Sequence, residues 1–201
     1  MDFKKGLIAT AIICSSLVAA NAQAAILDIF DGSGAGENRA DWEAAVGAFS
    51  EEDFTGFNND GSEDFVITAQ GGGHTDFGFA NDRLNDRLVS GSSTTITFDY
   101  PILAFGANWD LSPAGQGLGI EITAGGTTLT TEIPANFTGQ FFGFTSDMEI
   151  SSVVLRSGSQ PGIAETYNAD NFVYKVPEPA SLALLGIGLA GLGFSRRKKN
   201  S

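Results

Sequence analysis

At 201 residues, with 24 acidic against 11 basic side chains and a formal charge of −13, the chain has room for one domain and appended segments. Setting aside Asp2, Glu178 and the six cations of the two ends leaves 22 acids against 5 bases, a net of −17, between Ala25 and Val176. Such a body lacks the cations that displace phosphate counterions, which excludes nucleic-acid binding; the single cysteine, Cys14, excludes disulfides and thiolate chemistry from the body.

Residues 1–24 read as a signal peptide. Lys4 and Lys5 form a positive start, Leu7 to Val18 an apolar stretch, and Ala22-Gln23-Ala24 a small-residue cleavage site with cutting expected after Ala24. The body, 25–175, enters through a Gly-rich segment, Asp31 to Gly36. A helix is predicted from Asn38 to Phe49, where Trp42, Ala45, Val46 and Phe49 recur at i, i+3, i+4 and i+7. Downstream the period falls to two. Strands are predicted at 65–68, 94–98, 102–109, 119–124, 127–133, 141–145, 151–156 and 171–174, with Gly125-Gly126 as a two-residue hairpin turn. About eight short strands rich in Thr, Val and Phe, with one short helix before them, predict an all-β, jelly-roll-like sandwich. Residues 81–88 are a tandem tetrapeptide, Asn-Asp-Arg-Leu twice, expected as a short polar connector or helical turn with Leu84 and Leu88 buried.

Catalytic signatures are sparse. His74 is the one histidine and no Gly-x-Ser-x-Gly elbow accompanies it, so it reads as a solvated loop residue. One histidine without a body cysteine cannot assemble a typical zinc site. Two carboxylates suffice for glycoside hydrolysis, and the acids are too many for one pair to stand out, so a secreted carboxylate-dependent hydrolase stays open as an alternative. Trp109, in Ala107-Asn108-Trp109-Asp110, reads either as a core residue or as a face on which a sugar could stack.

The C-terminal segment, 176–201, has three parts. Pro177-Glu178-Pro179 stays extended, because the prolines block a helix. Ala180 to Ser195 is an uncharged run of 16 residues, short against the ~20 of a relaxed span. Arg196, Arg197, Lys198 and Lys199 form a basic stop that holds that end in the cytoplasm. Together these residues resemble the PEP-CTERM sorting signal. The resemblance implies an exported protein, inserted transiently in the inner membrane of a Gram-negative bacterium and processed by an exosortase. Its destination would be the outer surface or the exopolysaccharide matrix.

The stretches 104–111, 141–147, 151–157 and 165–174 resemble the jelly-roll-like body common to many such proteins. Carbohydrate-binding modules with related sandwiches hold a structural calcium between an early acidic strand and an aspartate of the closing strand. That resemblance implies Asp53 and Asp170 as calcium ligands; the same acids also read as solvated turns. The expected function is a noncatalytic surface or matrix protein, with glycan and calcium as its candidate ligands.

Overall fold

Two long strands organise the molecule. In the computed structural model, which describes residues 27–32 and 39–177, the elements are β1 (Leu27–Phe30), α1 (Arg39–Val46), β2 (Ser50–Glu52), β3 (Phe65–Gln70), β4 (Gly78–Phe79), β5 (Leu84–Leu88), β6 (Ser93–Leu111), β7 (Leu118–Ala124), β8 (Thr127–Ile133), β9 (Thr138–Ser157) and β10 (Glu165–Lys175). β6 and β9 pair antiparallel along their length, but the register breaks between Thr97 and Ile102 and again between Ile102 and Ala104. Pro101 sits in this break, where a missing N–H costs no ladder bond.

At the break one hydrogen-bonded sheet folds over into two leaves. The first leaf is β3, the start of β6, the end of β9, β7 and β8. The second is β10, the end of β6, the start of β9 and β1, with β5 and β2 on the far edge of β10 and β4 beside β5. Side-chain parity records the fold-over. Along β6 the core side chains are even-numbered before the break (Thr94, Ile96, Phe98) and odd-numbered after it (Phe105, Ala107, Trp109, Leu111). β9 switches in the same way, from Phe142 and Phe144 to Val153 and Leu155. β10 switches at a bulge, from Tyr167 and Ala169 to Phe172 and Tyr174, with Asn171 at φ 51°.

The leaves meet through aromatic rings. Phe65 of the first leaf lies 5.8 Å from both Phe172 and Tyr174 of the second, and Phe98 lies 5.5 Å from Tyr174. The result is a β-sandwich whose apolar core runs unbroken between the leaves.

Among the described residues ten strands replace the eight expected. The pairs predicted at 94–98 with 102–109 and at 141–145 with 151–156 are single strands, β6 and β9, because a bulge interrupts the two-residue period without ending the ladder. β1, β2 and β4 are too short to show a period, and β5 was hidden in the tandem repeat. The Gly125-Gly126 turn is as expected, both residues at positive φ (57° and 80°) between β7 and β8.

The helix is shorter than predicted. It stops at Val46, and Ala45 faces solvent. Phe49 lies beyond it yet still meets Trp42, ring centroids 5.4 Å apart. α1 covers one end of the outer surface of the second leaf, where Trp42 and Val46 bury Ala104, Phe141 and Val173. Trp42 Nε1 donates to the Phe144 carbonyl at 3.1 Å, and Lys175 Nζ donates to the Val46 carbonyl at the helix C-terminus. No helix among the described residues is long and apolar enough to cross a membrane. The signal peptide with Ala22 and Ala24, the motif residues Glu178 and Pro179, the expected membrane helix and Arg196 to Lys199 lie outside the described residues.

Candidate functional site

The tandem repeat forms a hairpin rather than a helical turn or connector. Asn81 and Asp82 of the first copy take left-handed conformations (φ 57° and 55°), and the Ala80 N–H closes the turn on the Arg83 carbonyl at 3.2 Å. Arg83 then leads into β5. A four-residue repeat is commensurate with the two-residue period of a strand, so equivalent residues face the same way. Leu84, Asp86 and Leu88 point inward and are fully buried, while Arg83, Asn85 and Arg87 alternate with them on the outer side. The leucines are buried as expected; the conformation and the buried aspartate are corrections.

Beyond the end covered by α1, the outer surface of the second leaf is open and polar. Asn168 of β10 pairs in register with Asn85 of β5 on one side and Asp110 of β6 on the other, and Asp110 faces Thr138 of β9. In the next row Asp170 pairs with Asn108. Asn108, Asp110, Thr138, Asn168 and Asp170, with Arg83, Gly139 and Asn171, line a cleft of about 320 Å³. Several of its polar atoms are already engaged: Asn108 donates to the Gly139 carbonyl at 3.1 Å, and Asp170 accepts from the Asn171 N–H at 2.7 Å. The Nε of Arg83 is different, being buried without a hydrogen-bond partner among the described residues. A buried donor left unpaired is costly.

A larger concavity of about 430 Å³ lies over β7, β8 and β9, but its charges are satisfied internally. Arg156 pairs with Glu121 at 2.7 Å, and Glu132 holds the Ser159 N–H, the Ser159 hydroxyl and the Gln160 amide. Burial works to raise the Glu132 pKa, but these bonds outweigh it and hold it below the usual carboxylate value.

Of the residues singled out from sequence, Asp170 and Trp109 line the cleft and Asp53 does not. Asp53 is exposed, one residue past β2, and accepts from the Thr55 N–H at 2.9 Å. Because Glu52 pairs with Phe172, the two aspartates flank the same stretch of the β2–β10 ladder. Among the described residues no group of three or more His, Cys, Asp or Glu side chains is placed to hold a metal ion. Trp109 is a core residue with no exposed surface, packed near Tyr167 and Phe172, and its Nε1 donates to the Phe142 carbonyl at 3.2 Å. The sugar-stacking reading of Trp109 is therefore corrected: its ring offers no face to solvent.

His74 is not solvated either. Its Nδ1 lies 3.0 Å from each carboxylate oxygen of Asp86, and its Nε2 lies 2.9 Å from the Gln70 carbonyl. Only the doubly protonated ring satisfies both partners. Burial opposes that charge, but the Gln70 carbonyl and Asp86 outweigh it and raise the His74 pKa above its ordinary value. With both nitrogens committed, His74 has none left to act as a general base. Asp86 also accepts from the Thr94 hydroxyl and the Arg87 N–H, so the pair pins β5 from beneath.

Glu165, fully buried at the start of β10, was not singled out from sequence. It accepts the Ser112 and Gly117 N–H groups at 2.9 and 2.7 Å and so ties the loop after β6 to the sheet. Its carboxylate occupies the space that a Cβ on Gly115 would need, so a side chain there would displace it. Burial raises its pKa despite these bonds.

Residues 175–198 match the PEP-CTERM protein-sorting motif, beginning at Lys175, the last residue of β10. No curated protein matches the chain in sequence. Among solved structures, it is similar to a mutant of the family 29 carbohydrate-binding module CBM29-2, with 9% identity and a TM-score of 0.41 over 64% of this chain and 90% of that one. It is also similar to CsCBM6-3 from Clostridium stercorarium in complex with cellobiose, with 17% identity and a TM-score of 0.37 over 66% of this chain and 100% of that one. The chain is a β-sandwich protein that carries a PEP-CTERM protein-sorting motif at its C-terminal end.

Proposed function

We propose that this is a noncatalytic exported protein, sorted and processed by an exosortase through Pro177, Glu178 and Pro179, whose sandwich binds glycan at the cell surface or in the exopolysaccharide. The observation that carries the binding is the cleft between β5, β10 and β6, which brings the Arg83 side chain together with amides and carboxylates. Planar side chains held on rigid strands suit hydroxyl groups, each of which both donates and accepts. The sorting motif supports the route, since it places the protein among exported chains. Screening the processed protein on a glycan array tests the binding. Wild type is expected to bind and Arg83→Gln to lose it; no glycan bound by wild type, or equal binding by both, would refute the cleft. Mass spectrometry of the exported protein tests processing, and a mature C-terminus that still holds Arg196 to Ser201 would contradict it.

A carboxylate-dependent glycoside hydrolase is favoured by one observation. Asp110 and Asp170 are diagonal neighbours across β6 and β10 and line one cleft, which puts two carboxylates in a single site. Turnover of chromogenic glycosides, abolished by Asp170→Asn, would support it; binding without turnover supports the noncatalytic reading. Calcium enters as a stabiliser of the β2–β10 junction through Asp53 and Asp170. Millimolar calcium is then expected to raise Tm in wild type but not in the Asp53→Asn, Asp170→Asn variant, and an unchanged wild-type Tm removes calcium from the proposal.

A further inference from the structure

The cleft carries more information than the presence of polar groups, because its charges have a sign balance. It holds two carboxylates, Asp110 and Asp170, against one guanidinium, Arg83. The Asp110 and Asn168 side chains make no hydrogen bond with the described residues, and one Asp170 oxygen already accepts from the Asn171 N–H. Acceptors and donors therefore line one cleft: carboxylates on β6 and β10, and the Arg83 guanidinium and side-chain amides. A hydroxyl group uses both kinds, donating its proton to a carboxylate and accepting from a guanidinium or amide. A sugar carboxylate uses only donors. It would face one cation and two like charges in a body of net −17, so its desolvation and repulsion go uncompensated.

Resting on the glycan-binding reading, we infer that the cleft selects neutral, hydroxyl-rich glycan units and rejects uronates. Arg83 and Asn168 are the donors to ring or hydroxyl oxygens, and Asp110 and Asp170 accept from hydroxyls. Asp110 and Asp170 set the specificity. At about 320 Å³ the cleft lies at the small end of ligand pockets, which suits a short stretch of a chain rather than a long one.

Calorimetric titration of the full processed protein with cellotetraose, xylotetraose and mannotetraose, and in parallel with tetragalacturonate, tests this. Repeating it at low and high salt separates the cleft from the long-range field of the body, which salt screens. At least one neutral tetrasaccharide is expected to bind while the uronate fails at both salt concentrations. The Asp110→Asn, Asp170→Asn variant is expected to bind the neutral ligand about tenfold or more weakly and to gain affinity for the uronate. Uronate binding equal to or tighter than neutral binding, lost in Arg83→Gln, would overturn the inference and leave the glycan reading standing. Neutral binding unmoved by the double substitution would also overturn it. Failure of every probe would refute glycan binding at the cleft and the inference with it.

Discussion

The outer surface of the second leaf has two ends built from the same three strands, and they were put to opposite uses. At the end covered by α1, β6, β9 and β10 present Ala104, Phe141 and Val173, which Trp42 and Val46 seal. A few residues along the same strands, the outward positions become Asn108, Asp110, Asn168 and Asp170, and no element among the described residues covers them. The switch in β10 falls at the bulge around Asn171. Sheet geometry therefore does not decide which part of a face is structural and which is open. The side chains decide, and the bulge resets them partway along a strand.

That contrast can be attacked from either end. The largest effect is expected from Trp42→Ala, which empties the sealed end of a fully buried ring and leaves the Phe144 carbonyl without its donor. It should cost about 3–5 kcal/mol in urea unfolding while leaving ligand affinity of the folded fraction unchanged. Lost affinity in a fully folded sample would show that the two ends are not separable. Glu165→Ala comes next, orphaning the Ser112 and Gly117 N–H groups beside the open end. Its expected cost is about 2–3 kcal/mol, and a neutral result would show that water takes over both bonds.

The third effect concerns the support under β5. Because the folded His74 pKa is raised, the stabilisation from its pair with Asp86 is full below the unfolded value of about 6.5 and is lost as pH rises through the folded value. Tm of wild type should fall across that window relative to His74→Gln; parallel pH profiles would rule the pair out as a titrating support. The smallest effect belongs to Asn168→Ala at the open end, within about 0.5 kcal/mol in stability. A larger loss would mean that this surface is structural after all, and the contrast between the ends would collapse.

Much of the sandwich was legible in the sequence because its signals are local. The two-residue period marks β3, β7 and β8, and Gly125-Gly126 marks the hairpin between the last two. What escaped notice depends on pairing at a distance. β6 and β9 looked like four strands since parity inverts at the break, and only the ladder shows that each continues. Asp170 was legible as a polar residue before a closing strand, but its neighbours Asn108 and Asp110 lie some 60 residues upstream and join it through register alone. His74 looked solvated because its partner, Asp86, was assigned to a connector; reading the repeat with a strand period would have turned Asp86 inward. Glu165 gave no signal, since a buried carboxylate is recognised only by the loop it holds.

The place where the sorting motif joins the sandwich has a mechanical consequence. The match begins on Lys175, the final residue of β10, so the motif and the strand share that residue. β10 is an interior strand, bonded to β6 on one side and to β5 and β2 on the other. Tension applied at the C-terminus acts along that strand and loads both of its ladders in parallel, instead of peeling a free edge one bond at a time. Were the body held by this end, its lifetime under load would be set by concerted rupture of the ladders around β10.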